Sequence, residues 1–395
     1  MNPSVQGWVK LFLSDYSYSE MSYMSHDELY KKLREFGFVY GFITGVETSP
    51  KVQMIGWLED EKTKLALLNA LFKTFKIETK SNDSTIFLVS IIDFYNEIQP
   101  ESFNWFKKIL PSDSNFLKLE KKIDNRVKTN LNLVSKNFSN LITNALLFLD
   151  VLAYRRFLKG GTENIKYMIH LEEKITSVVW SSLSSKSIKS DHDDALLKLF
   201  ESSLRFSRLE TFTEQYLIEL LSENILDSTE KIYLMDIACM AIWSDKIVEN
   251  KEYYFIQMLG KSLKLEEIEI QESLSTVENF ILKNQKSIPY FNASNPVKTF
   301  YDQTSIQVIT LVSRNKKRII KELVESKELM VLLTHATQRE LTGSEKKKMK
   351  KQLLDLCKSI PALTIFLLPG GSILLPLLVK FIPQLLPSAF NENLK

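Results

Sequence analysis

Glycine and proline are scarce in this chain, at 11 each in 395 residues. So few turn formers leave little means of building a many-stranded β fold and point to long helices. Cysteine is scarcer still. Cys239 and Cys357 stand alone, with no CxxC pair, which excludes a disulfide framework and thiolate zinc sites and fits a reducing compartment. The four histidines, His26, His170, His192 and His335, are scattered. There is no HExxH, P-loop, GxSxG or strand-borne GxGxxG, so the common constellations of metalloprotease, NTPase, hydrolase and dinucleotide enzymes are missing. No catalytic residue and no cofactor is assigned, and an enzyme is not expected. The first residues carry neither a basic region followed by an apolar core nor an Arg-rich amphipathic leader, so no signal or transit peptide is expected. The expected location is the cytoplasm or the cytoplasmic face of a membrane.

What is present is apolar and periodic. Hydrophobic residues make up 44% and charged residues 25%, as in ordinary globular proteins. The length suits several domains. The spacing predicts an all-α fold of multi-helix bundles, divided as an N-terminal helical domain over 1–112, a long-helix region and linker over 113–190, a bundle over 191–290 and a C-terminal domain over 298–395. The dense N-terminal aromatics (Trp8, Tyr16, Tyr18, Tyr23, Phe36, Phe38, Tyr40, Phe42, Trp57) are expected in a core. Helical spacing running from Leu119 through Ile123, Val127 and Leu131 to Leu152 predicts one helix stopped by Gly160-Gly161. A second helix is expected over Ile165–Leu183, and a long one from about Asp302 to Ala336, with Ile309, Val312, Ile319, Leu323, Met330 and Leu333 on one face. Glu59–Lys62 and Lys76–Lys80 read as solvated faces.

The net charge of +3 conceals a split, because Ser313–Lys358 holds 13 Lys/Arg against six Asp/Glu. Within it, Thr342-Gly-Ser-Glu345 is a capping box. The helix that follows places Met349, Leu353, Leu356 and Ile360 on one face and surrounds them with a basic patch of Lys346, Lys347, Lys348, Lys350 and Lys351. Lys351 and Asp355 are spaced as an i, i+4 pair. From Ser359 to Val379 there follow 21 residues without a charge, enough helix to span a bilayer core. Pro361, Pro369, Gly370, Gly371 and Pro376 interrupt this apolar motif, which continues to Pro383 and Pro387. Asp355, at its head, is the candidate ion-coupling residue, since an ionisable group beside a membrane segment is functional by default.

These residues resemble the Letm family, the leucine-zipper/EF-hand transmembrane proteins, at the start of their ribosome-binding-like domain. The matching features are Glu340-Leu-Thr342, the basic helix, Asp355-Leu-x-x-x-Ile-Pro361, Leu374-Leu-Pro376, Lys380-x-x-Pro383 and Leu386-Pro-Ser-Ala-Phe390. The family's coiled coil and EF-hand have no counterpart, and Pro369-Gly-Gly371 departs from the bulkier residues expected there. The resemblance implies a membrane-associated role in cation/proton homeostasis or biofilm-related physiology in a bacterial relative, with the ribosome, an anionic membrane surface or other proteins as partners. Farther upstream, Asp245, Glu249 and Glu252 at i, i+4, i+7 would align three carboxylates on a helix, a set of oxygen ligands suited to a divalent cation. That stretch, Ala241-Ile-Trp-Ser-Asp245 with its following acids, resembles the TerB-like domain of tellurite resistance, although Lys246 replaces the usual glycine.

Three arrangements of the apolar run remain open: a buried helical hairpin, a single kinked span, and a re-entrant or interfacial insertion. Three functions follow from different classes: a Letm-like membrane-associated protein, a ribosome-binding module using the basic helix against phosphate, and a soluble helical scaffold for protein partners.

Overall fold

The computed structural model describes residues 1–15, 25–48, 50–98, 114–132, 145–186, 197, 214–222, 226–243, 250–284, 286, 308–309, 312–313, 315–360, 363 and 375–382. The described residues form fifteen α-helices and no strand, so the all-α expectation holds.

The centre is α3 (Glu59–Thr79), apolar over most of its circumference through Leu65, Leu67, Leu68, Leu71, Phe72 and Phe75, all buried. A helix hydrophobic nearly all round belongs inside, and its neighbours follow from that. α1 (Trp8–Asp15) and α4 (Ser84–Ile98) both pack on α5 (Asn115–Asn132), which lies against α3 with α2 (His26–Glu35) and α6 (Phe148–Leu158). α7 (Asn164–Ser184) links this layer to a second one made of α8 (Glu214–Ser222), α9 (Ser228–Ile242), α10 (Asn250–Ser262) and α11 (Glu267–Asn284). Buried side chains from Trp8 to Ile382 form one continuous core.

The aromatic expectation is met where it can be followed. Trp8, Phe38 and Tyr40 are buried and Phe36, Phe42 and Trp57 half-buried, while Tyr16, Tyr18 and Tyr23 lie outside the described residues. Gly37 turns the chain after α2 with φ +78°, and a Cβ there would stand 2.1 Å from the Phe42 carbonyl oxygen, so only glycine fits. Gly160, at φ +79°, ends α6 as expected. The helix expected over Ile165–Leu183 is α7.

Several local expectations are corrected. The helix expected to run from Phe116 to Gly160 is not continuous, because α5 and α6 fold back on each other. Along one straight helix, Arg126 and Asp150 would lie about 36 Å apart at 1.5 Å per residue. Instead Arg126 Nη2 donates to Asp150 Oδ1 at 2.7 Å and Nε to Oδ2 at 2.8 Å, with both residues buried. The long C-terminal helix is likewise broken. Its described part includes α12 (Lys316–Glu325) and α13 (Lys327–Gln338), meeting at Ser326, whose φ of −107° and ψ of 74° are not helical. Val312, Ile319, Leu323 and Leu333 are buried as expected and Met330 half-buried, but Ile309 is exposed. Two expected solvent-facing charges are also buried. Glu61 accepts from the Leu58 N–H at 2.8 Å and the Ser4 hydroxyl at 2.6 Å, and Lys76 lies 5.1 Å from the Phe72 ring centroid.

Candidate functional site

The C-terminal basic segment is a small layer of its own. α13 packs against both α12 and α14 (Gly343–Ser359), and it also touches α15 (Leu375–Phe381). The start of α14 is fixed by the box expected from the sequence. The Glu345 N–H donates to Thr342 Oγ1 at 3.4 Å, and Glu345 Oε2 accepts from the Thr342 N–H at 2.8 Å. Arg339 adds a two-pronged grip, with Nη1 on Glu345 Oε2 at 2.9 Å and Nη2 on Oε1 at 2.7 Å. The Arg339 bonds, then those from Thr342, hold the Glu345 carboxyl well below the usual carboxylate range. A guanidinium only donates, so His335 Nδ1, 3.1 Å from Arg339 Nη2, is the acceptor in that contact.

The apolar face of α14 is the one expected: Met349, Leu353, Leu356 and Ile360 are buried, joined by Cys357. Burial pushes the Cys357 thiol up to about 12, which makes it an unreactive core residue. Gln352 ties the layer together by accepting from the Ser326 hydroxyl at 3.3 Å and donating to Glu328 Oε2 at 2.5 Å. The break between α12 and α13 thus sits against the middle of α14.

The five lysines of the basic patch do not share one environment. Lys347, Lys348 and Lys351 are exposed, while Lys346 and Lys350 are half-buried. Lys348 pairs with Glu328 on α13 at 3.0 Å. Lys350 is more enclosed than the exposed three. Burial lowers its pKa, and the carboxylates of Glu173 and Glu172 on α7 oppose that. Lys346, Lys347 and Lys351 are left without an ion pair among the described residues. Asp355 is exposed and pairs with Lys358 at 2.9 Å; Lys351, its expected partner, does not reach it in the structure. A lysine three residues on competes for the same carboxylate, and spacing alone does not choose between them.

Of the apolar motif, Pro361, Pro369, Gly370, Gly371, Pro383 and Pro387 lie outside the described residues. Pro376 is in the first turn of α15, where a missing N–H costs nothing. No helix among the described residues is long and apolar enough to cross a membrane. Of the three aligned carboxylates, Asp245 and Glu249 lie outside the described residues, and Glu252 is buried on α10. No group of His, Cys, Asp or Glu suited to a metal ion occurs among the described residues.

Residues 341–395 match the family model described as LETM1-like, RBD. The LETM1-like segment begins at Leu341, one residue before the α14 cap, and contains the basic helix and the whole apolar motif. No curated protein and no solved structure matches the chain.

Sequence reasoning expected helix here but missed one feature of this layer, the basic outer face of α12. α12 buries Ile319 and Leu323 and leaves Lys316, Lys317, Arg318 and Lys321 exposed. The signal was present in the i, i+4 spacing of the two apolar residues within four cations, but the denser lysine run of α14 outweighed it.

Proposed function

We propose that the C-terminal layer docks this protein on the ribosome and that the preceding helices form a non-enzymatic body carrying it. The observation that supports this most is the coincidence of the LETM1-like segment with a firmly capped helix whose unpaired lysines face outward. A capped helix start costs no further ordering when the helix meets a partner, and exposed lysines gain from releasing counterions at a phosphate surface. Co-sedimentation with purified ribosomes tests it. The protein is expected in the ribosomal pellet at low salt and to leave it as salt rises. The double variant Lys347→Gln/Lys351→Gln is expected to lower the pelleted fraction severalfold. Failure of the wild-type protein to pellet at low salt would end the proposal.

A second reading, membrane association with a part in cation/proton homeostasis, draws on the uncharged Ser359–Val379 run beside a strongly basic segment. Carbonate extraction of membranes tests it, since complete release into the supernatant excludes integral insertion. Asp355 is its ion-coupling residue. Unchanged cation-dependent growth in an Asp355→Asn strain would remove that role.

A further inference from the structure

We infer that α12 is a second row of phosphate contacts, built to lie along double-helical RNA and situated outside the LETM1-like segment. The inference rests on the ribosome-docking proposal and names the component that is touched.

The argument begins with where free positive charge lies. On α14, Lys348 is neutralised by Glu328, Lys350 is half-buried, and Lys358 holds Asp355. On α12, Lys316, Lys317, Arg318 and Lys321 are all exposed and have no ion pair among the described residues. Arg318 and Lys321 stand four residues before Glu322 and Glu325, at a spacing that permits pairs, yet neither pair forms. Burial of Ile319 and Leu323 fixes which side of α12 faces the core, so the cations are held outward by packing.

Position supports the same conclusion. α12 ends at Ser326, and the Ser326 hydroxyl donates to Gln352 of α14, one residue from the unpaired Lys351. The two basic helices therefore converge on one junction, pinned by Gln352 and by the Lys348–Glu328 pair. A partner seated on the outward lysines of α14 meets the end of α12 at the same point.

The chemistry of the surface selects the kind of polyanion. Between Val308 and Leu363 the chain has no Phe, Tyr or Trp. Single-stranded nucleic acid is gripped by stacking bases on aromatic rings, and α12, α13 and α14 offer none. Duplex RNA is recognised largely through backbone and shape, for which outward lysines and an arginine suffice.

The test measures binding of the full-length protein to a labelled RNA duplex and to purified ribosomes across a salt series. In Lys316→Gln/Lys317→Gln/Arg318→Gln/Lys321→Gln, the slope of log affinity against log salt for the duplex is expected to shrink by about 3.6, near 0.9 for each of the four lost phosphate contacts. Circular dichroism melting should match the wild type. Glu322→Gln/Glu325→Gln is expected to bind the duplex more tightly, a gain that misfolding does not produce. An unchanged slope in the quadruple variant overturns the inference, even if ribosome pelleting persists and still depends on Lys347 and Lys351. Loss of ribosome binding in the quadruple variant with no duplex binding by the wild type also overturns it, in favour of an acidic ribosomal protein. Duplex binding that depends on α12 without any ribosome pelleting sustains the inference and ends the docking proposal.

Discussion

At the residue scale, the strongest constraints are charges that the fold has buried. Asp150 accepts from Arg126 through both oxygens and from the Tyr95 hydroxyl at 3.2 Å, fully out of water. Removing one member strands the other, so Asp150→Ala is expected to cost about 3–5 kcal/mol, whereas Arg126→Met/Asp150→Leu should cost far less. Urea unfolding of the two variants measures the difference. The sequence carried no sign of this pairing, since a separation of 24 residues says nothing about which cation returns to Asp150. His26 is a second case. Its Nε2 lies 2.6 Å from Glu78 Oε1, which also takes Arg155 at 3.3 Å and Lys159 at 3.3 Å, while Arg155 Nη1 reaches Asp227 at 2.8 Å. Burial, then the charge of Arg155, lowers the His26 pKa below 6.5, and Glu78 only partly opposes this. The unfolded chain therefore binds the proton more readily. Stability is complete above pH 6.5 and falls as pH drops through that value toward the folded pKa. His26→Gln should flatten the thermal-stability profile between about pH 7 and 5, and an unaltered slope would exclude His26 as the cause.

At the scale of elements, local chemistry was legible and continuity was not. The Thr342 box, the apolar face of α14, the Gly160 stop and the extent of α7 all follow from neighbours within a turn or two, and the structure repeats them. The breaks at Ser326 and between α5 and α6 do not, because a hydrophobic period reports which face is buried and carries no information on whether the axis runs straight. The helix start is expected to matter energetically. Thr342→Ala removes a side-chain acceptor at the N-cap and should cost about 1 kcal/mol. It should also speed amide hydrogen exchange in the first turn of α14, leaving α13 unaffected. If the first-turn amides exchange unchanged, the grip of Arg339 on Glu345 carries the cap alone.

For the whole molecule, the question is whether the divisions expected near residues 112 and 191 correspond to separable units. The buried contacts cross both. Arg34 of α2 donates through Nη2 to Asp236 Oδ1 of α9 at 3.0 Å and through Nη1 to Glu272 of α11 at 3.2 Å, and the Tyr30 hydroxyl donates to Asp236 Oδ2 at 2.7 Å. The Tyr30 and Phe148 rings lie 5.3 Å apart and those of Tyr40 and Phe280 4.8 Å apart, so the aromatics near the N-terminus complete the core of α6 and α11. None of this was readable in sequence, where Arg34 and Asp236 are 202 residues apart and each looks like an ordinary helix-surface charge. Burial pushes the Asp236 carboxyl up, and Arg34 opposes it, so removing the arginine leaves a buried acid without its counter-charge. Arg34→Met is accordingly expected to cost about 3–5 kcal/mol and to accelerate amide exchange in α2, α9 and α11 together. Faster exchange confined to α2 would mean that the N-terminal helices open by themselves, and the chain would then be a set of independent domains, not one cooperative body.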